Sequence, residues 1–249
     1  MTAGGQIDRE RDAWNRKSGL RRVYRGFYER VAQALRPGRT LELGGGSGNF
    51  KAFAPDTISS DIQSAPWLDV VADAQRLPFA EGSFQNMVMI DTLHHLPRPA
   101  AAVGEAARVL EPGGRIVLVE PAITALSRPF YTWLHREPVR MDDDPFADRP
   151  LWSGDDPYDA NQAIPTLMFA RRLDRFERTF PTLSLVGREW FSLFAYPLSG
   201  GFQAWSLLPN LLAGPLLKLD DGLSRGVGRW MGFRLFVVLE KRGGAKTAD

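Results

Sequence analysis

The sequence predicts a doubly wound α/β sheet of seven strands, and three observations predict it. Over residues 38–121 short apolar runs alternate with helix-forming ones. The first run empties into a glycine cluster, and an acidic residue ends or follows each of the next three. Strands alternating with helices are parallel and joined by right-handed crossovers, so their carboxyl ends open on one edge.

In chain order, residues 8–35 carry Trp14, Leu20, Val23, Tyr24, Phe27, Tyr28, Val31 and Leu35, at spacings that settle to three and four. That pattern predicts one amphipathic N-terminal helix, ended by Pro37-Gly38. Strands are expected at 40–43, 57–61, 68–72 and 84–90. A helix is expected at 100–110, a turn at Glu111-Pro112-Gly113-Gly114, and a fifth strand at 115–120. Beyond Pro121 the texture changes: residues 122–181 are rich in aromatics, arginines and Asp-Pro breaks and read as helices plus loops. Runs at 183–191 and 233–240 supply the sixth and seventh strands. The chain reads as a single domain over 1–249, with its binding core at 38–121 and helical and loop cap segments at 122–181 and 192–230.

Composition narrows the classes of function. With 249 residues, 44% apolar and 24% charged, the chain can bury a sizeable core. A net charge of +2 without a basic, aromatic-interleaved run disfavours nucleic acid as partner. The absence of cysteine removes disulfides, thiolate catalysis and thiolate-ligated zinc together, and fits a cytoplasmic location. With three histidines besides, no metal site is expected. The polar N-terminal segment does not read as a secretory signal. The stretch 190–217 has no charged side chain, but its prolines and glycines argue against a membrane-spanning helix.

The glycine cluster carries the chemistry. A dinucleotide fingerprint needs glycine at its first, third and sixth positions; here glycines fall at Gly44, Gly46 and Gly48, and the sixth position is Asn49. The Gly-Lys-Ser/Thr ending of a phosphate loop is also missing. A loop bare of side chains still lets a ligand lie on the backbone at the strand's end. Asp61, Asp73 and Asp91 are expected on that same edge, where carboxylates suit a ligand with ribose hydroxyls, an amino group and a positive charge.

Leu41-Glu42-Leu43-Gly44-Gly45-Gly46-Ser47-Gly48 resembles the first motif of class I S-adenosylmethionine-dependent methyltransferases. Asp73-Ala74-Gln75-Arg76-Leu77-Pro78-Phe79 with Ser83-Phe84 is similar to their adenine-side segment. Leu93-His94-His95-Leu96 and Arg108-Val109-Leu110-Glu111-Pro112-Gly113-Gly114 are similar to later motifs of the UbiE-like, type 11 branch. The resemblance implies a Rossmann-like sheet and S-adenosyl-L-methionine as cofactor. It implies Glu42 and the glycines beside the methionine portion, Asp61 on both ribose hydroxyls and Ile62 against adenine. It further implies Asp73 at the adenine amino group, the Ala74 backbone at the ring edge and Asp91 toward the methionine end. Gln85 departs from the family, which usually has Asp there, at a position leading into the strand rather than the pocket.

The expected activity is methyl transfer to a small-molecule, glycan or lipid-like acceptor, by O- or C-methylation in a biosynthetic pathway. A non-catalytic scaffold of the same fold is the alternative, and the intact glycine loop and acids speak against it. His95 and His135 are the candidate bases, each with a structural role as the rival reading. Asp73 has a rival reading as the cap of the turn before Leu77-Pro78. The aromatics of 130–133 and 190–205, leading into Leu207-Leu208-Pro209-Asn210-Leu211-Leu212, predict an apolar acceptor site rimmed by segments 122–140 and 190–217, with a membrane surface or a second subunit as the other partners such residues could serve.

Overall fold

Side-chain alternation along a strand decides which face each residue serves. In β1 (Thr40–Leu43), Leu41 and Leu43 enter one apolar layer. In β4 (Phe84–Ile90), Met87 and Met89 enter that same layer, while Val88 joins the opposite one. Both faces are therefore covered, as near-continuous apolar strands require. The remaining strands are β2 (Ile58–Asp61), β3 (Val70–Val71), β5 (Leu110–Pro121), β6 (Leu183–Phe191) and β7 (Arg234–Lys241). The computed structural model describes residues 4–153 and 155–243, and orders one sheet as β3-β2-β1-β4-β5-β7-β6. Pairing is parallel from β3 to β5, and β7 runs antiparallel to both β5 and β6. The strand order reverses between β1 and β4, and the crevice at such a switch point is where open α/β sheets bind ligands.

Helices α1 (Gly4–Arg16) and α2 (Ser18–Ala34) precede the sheet. Helix α3 (Asn49–Phe53) follows the glycine loop, and α4 (Pro99–Val109) packs Ala102, Val103 and Ala106 into the first layer. Helix α2 fills the second layer with Leu20, Val23, Tyr24, Phe27, Tyr28 and Val31. The cap comprises α5 (Ser127–Trp133), α6 (Ile164–Thr166) running into a π-helical turn at Leu167–Arg171, α7 (Leu173–Thr179), α8 (Ala195–Ser199) and α9 (Ala213–Met231). No helix among the described residues is long and apolar enough to cross a membrane.

The structure corrects three details. The expected single helix at 8–35 is two, broken at Lys17, whose backbone leaves the helical region (φ −104°, ψ 89°). The break aims the Lys17 ammonium at the carbonyls of Gly201, Gln203 and Trp205, at 2.6, 3.1 and 2.8 Å. Periodicity alone could not reveal that partner loop. The third strand shrinks from 68–72 to two residues at the sheet edge, where only β2 is available to pair. The turn at 111–114 lies inside β5 as an outward loop: pairing jumps from Leu110–Phe84 to Arg115–Asn86, and Gly113 takes φ +78°. Such an interruption re-aims a strand without ending it.

Candidate functional site

The loop after β1 is shaped by what lies behind it. Gly44 has φ +71°, and a Cβ there would collide with Thr92, whose hydroxyl donates to the Leu43 carbonyl at 3.1 Å. Gly46 (φ +41°) is open: a Cβ would meet nothing nearer than the Gly44 carbonyl at 3.9 Å. The first glycine is thus dictated by packing, whereas the second bares backbone toward a cavity. Trp67 braces the loop, its indole N–H donating to the Gly46 carbonyl at 2.8 Å. Arg11 of α1 lies over the Trp67 ring at 3.6 Å, so the N-terminal helix roofs the loop.

Behind the loop, Glu42 is buried and accepts a 2.5 Å hydrogen bond from Ser59 Oγ. Burial pushes its carboxyl up to about 7, against the pull of that bond. Asp61 accepts from the Gly46 N–H and the Gln63 N–H, both at 2.9 Å, one on each oxygen. A carboxylate oxygen accepts more than one bond, so both oxygens keep capacity for a ligand hydroxyl. The neighbouring Ile62 is 54% exposed on the cavity wall, an apolar face ready for a flat ring. Asp73 caps its own turn, Oδ1 accepting from the backbone N–H of Gln75 at 2.8 Å and its side-chain amide at 3.0 Å. Asp73 therefore caps its turn, and no hydrogen bond among the described residues engages its second oxygen.

Asp91 leaves β4 with φ +54°, a left-handed conformation uncommon outside glycine. Two groups hold it. The Tyr24 hydroxyl donates to Oδ2 at 2.7 Å, and the fully buried Arg234 of β7 ion-pairs with Oδ1. Arg234 also faces the ring of Tyr196 at 4.8 Å.

These positions share one cavity of about 930 Å³, at the upper end of the range for small-molecule sites. Glu42, Gly44, Gly46, Asp61, Ile62, Asp73, Ala74 and Asp91 all line it, as do His95 and His135. Gly48 does not; it precedes α3 at φ +75° with its open side against Trp67, a turn requirement. The cap closes the far side with Phe130, Tyr196, Phe202 and Trp205.

The histidines form a cluster with two carboxylates. His94 is buried, with Nδ1 2.6 Å from Glu120 Oε2 and Nε2 3.4 Å from Glu137 Oε2. Burial alone would lower its pKa, but the two carboxylates outweigh burial and raise it. His95 Nδ1 lies 3.2 Å from the Asp159 carbonyl, and burial with the neighbouring His94 charge lowers its pKa. His135 is lowered by burial, and its Nδ1 accepts from the Glu137 N–H at 3.3 Å. With that lone pair engaged, His135 presents a donor at Nε2.

Sequence reading missed Tyr24, Arg234, Glu120, Glu137 and Gln162. Each sits on a helix, strand or loop whose local pattern is ordinary, and only tertiary folding brings Tyr24, Arg234, Glu137 and Gln162 to the crevice and Glu120 behind His94.

Residues 41–118 match the family model described as a methyltransferase domain. Over that stretch, which is less than half of the chain, it is similar to methyltransferases of the UbiE-like branch. It is 36% identical over 104 residues to a demethylmenaquinone methyltransferase of Beutenbergia cavernae, a match covering 36% of this chain and 43% of that protein. It is 45% identical over 47 residues to the 27-O-demethylrifamycin SV methyltransferase of Amycolatopsis mediterranei, covering 19% and 17%. The chain thus spans half or less of the length of these relatives. Among solved structures it is similar to a methyltransferase of Thermotoga maritima, with TM-score 0.53 and 16% identity over 94% of this chain and 97% of that one. At that identity the likeness shows the shared fold.

Proposed function

We propose that the chain transfers a methyl group from S-adenosyl-L-methionine to an oxygen or carbon of a small, largely apolar acceptor in a biosynthetic pathway. One observation carries the reading: the bare Gly46 backbone, the Asp61 carboxylate, the exposed Ile62 and the Asp73–Ala74 turn face a single cavity whose other wall is aromatic. The first set fits the ribose, adenine and methionine parts of the cofactor, and the second fits an apolar acceptor. Relatives named for demethylmenaquinone and 27-O-demethylrifamycin support acceptors of that character.

Sulfonium methyl transfer releases a neutral thioether, so the leaving group needs no acid. What the chain supplies is alignment and exclusion of water, under the roof of α1 and the cap. Where the acceptor must lose a proton, His95 is the neutral imidazole placed to take it, and His135 is placed to donate a hydrogen bond. The 122–140 segment and the part of 190–217 that lines the cavity are assigned to the acceptor side.

Calorimetric titration with S-adenosylhomocysteine tests the cofactor half, and binding in the micromolar range is expected. Methyl-labelled S-adenosylmethionine incubated with alkylated hydroquinones tests the acceptor half. Absence of S-adenosylhomocysteine binding at millimolar concentration would overturn the reading.

A further inference from the structure

His94, His95 and Glu137 each present a ligand-capable atom, and these atoms all lie within 4.8 Å of one another on the cavity wall. We infer that they form a site for one divalent transition-metal ion, of the kind that two imidazoles and one carboxylate select. This departs from the expectation of no metal, which counted histidines along the chain and could not see Glu137 fold onto them.

Three features make this more than proximity. The first is the outer shell. His94 Nδ1 is tied to Glu120, itself fixed by the N–H groups of Thr92 and Leu93 at 2.9 and 2.7 Å, and His95 Nδ1 is tied to the Asp159 carbonyl. With Nδ1–H donating in each ring, Nε2 keeps the free lone pair. A carboxylate or carbonyl behind each imidazole is the arrangement that orients metal-binding histidines. The second is charge. Two carboxylates, Glu120 and Glu137, flank the single ring of His94, so the space between Nε2 and Glu137 Oε2 is one that a cation suits.

The third is an unused acceptor. Gln162 is 2% exposed, and its amide N–H₂ donates to Glu137. Its Oε1 is buried with no partner among the described residues. An orphaned acceptor beside the cluster suits a water or acceptor hydroxyl on the ion. Zinc bound at about 2.1 Å needs tetrahedral ligand atoms about 3.4 Å apart. His94 Nε2 and Glu137 Oε2 already stand at 3.4 Å, and the His95 ligand atom lies within 4.8 Å of both.

Three protein ligands leave a tetrahedral ion one open position, facing the cavity, where an acceptor oxygen would bind. That role rests on the methyl-transfer reading and, in the zinc-loaded protein, replaces His95 as base, since its Nε2 is then taken; the site itself does not rest on that reading.

The test uses zinc alone, added to the purified full chain in competition with a chromogenic chelator. One equivalent is expected to bind, with a dissociation constant in the micromolar range or below. His95→Ala and Glu137→Gln should each weaken it at least tenfold, and Glu120→Gln by about ten- to a hundredfold. X-ray absorption of the zinc-loaded wild type should show two imidazoles, which keeps the test independent of how well the variants fold. No stoichiometric uptake, uptake undiminished in both His95→Ala and Glu137→Gln, or fewer than two imidazoles on the ion each overturns the site. S-adenosylhomocysteine affinity read on the same samples separates the ideas, because its loss counts against the methyl-transfer reading and leaves the zinc result standing.

Discussion

The Tyr24 hydroxyl donates a 2.7 Å hydrogen bond to Asp91 Oδ2, joining the second helix to the exit of β4, 67 residues away. Burial first, and then the Asp91 charge, raise the Tyr24 pKa, so the phenol stays a donor. Asp91 holds its left-handed backbone with that bond on one oxygen and Arg234 on the other. Tyr24→Phe should cost about 1.5–3 kcal/mol, the range for a hydrogen bond to a charged group. Arg234→Met should cost about 3 kcal/mol, because it strands a partly buried carboxylate. Denaturant unfolding measures both, and a loss under 0.5 kcal/mol in each would show the pair to be incidental.

Asp61 is expected to act on the ligand and on the loop together. Asp61→Ala should weaken S-adenosylhomocysteine about ten- to a hundredfold, from the bonds to two hydroxyls. It also unties the Gly46 and Gln63 N–H groups, so a modest fall in melting temperature should accompany it. Unchanged affinity by calorimetry would remove Asp61 from the cofactor site.

Glu42 makes stability depend on pH in a definite direction. Its carboxyl titrates near 4.5 in the unfolded chain and near 7 when buried. Between those values the folded state binds the extra proton, so stability falls as pH rises through the window, by about 3 kcal/mol at 1.36 kcal/mol per unit. Glu42→Gln does not titrate there. Urea unfolding from pH 4.5 to 8 should therefore show the variant gaining on wild type as pH rises, and a difference flat with pH would contradict it.

Lys17 explains why the N-terminal helix breaks. Its ammonium serves three carbonyls of the cap loop, and burial lowers its pKa to about 8. Lys17→Met should free that loop, raising amide exchange over residues 201–206 about tenfold for a loss of about 1.4 kcal/mol. Exchange that stays at the wild-type rate would mean the loop is held by its other contacts.

What was legible in the sequence was whatever local pattern encodes. Leu41, Leu43, Met87 and Met89 announce buried parallel strands, and Gly44-Gly45-Gly46 with Asp61 and Asp91 announces the edge where they end. What was hidden depends on distant partners. Glu137 reads as one acid in a charged loop until the fold sets it 3.4 Å from His94. Arg234 reads as the charged start of a strand until it is buried against Asp91. Gly48 looked like a ligand contact because its spacing matched a motif, yet its open side meets Trp67.

The acceptor's character is the last expectation. Phe130, Tyr196, Phe202 and Trp205 line the cavity from the cap, whereas Trp133 is 79% exposed and Leu211 86% exposed outside it. The apolar residues of the cap therefore divide between a cavity wall and an outer surface. An acceptor with an alkyl or aromatic portion would bury that portion on the wall, gaining about 0.8 kcal/mol per methylene. In a series of hydroquinones with lengthening alkyl chains, kcat/KM should thus rise about fourfold per methylene until the chain leaves the cavity. Phe202→Ser should flatten the series without weakening S-adenosylhomocysteine, because Phe202 comes from the cap and not from the glycine loop or its acids. If chain length has no effect in wild type, or Phe202→Ser preserves the slope, the aromatic residues serve packing, and the acceptor is recognised by the polar groups of the histidine cluster.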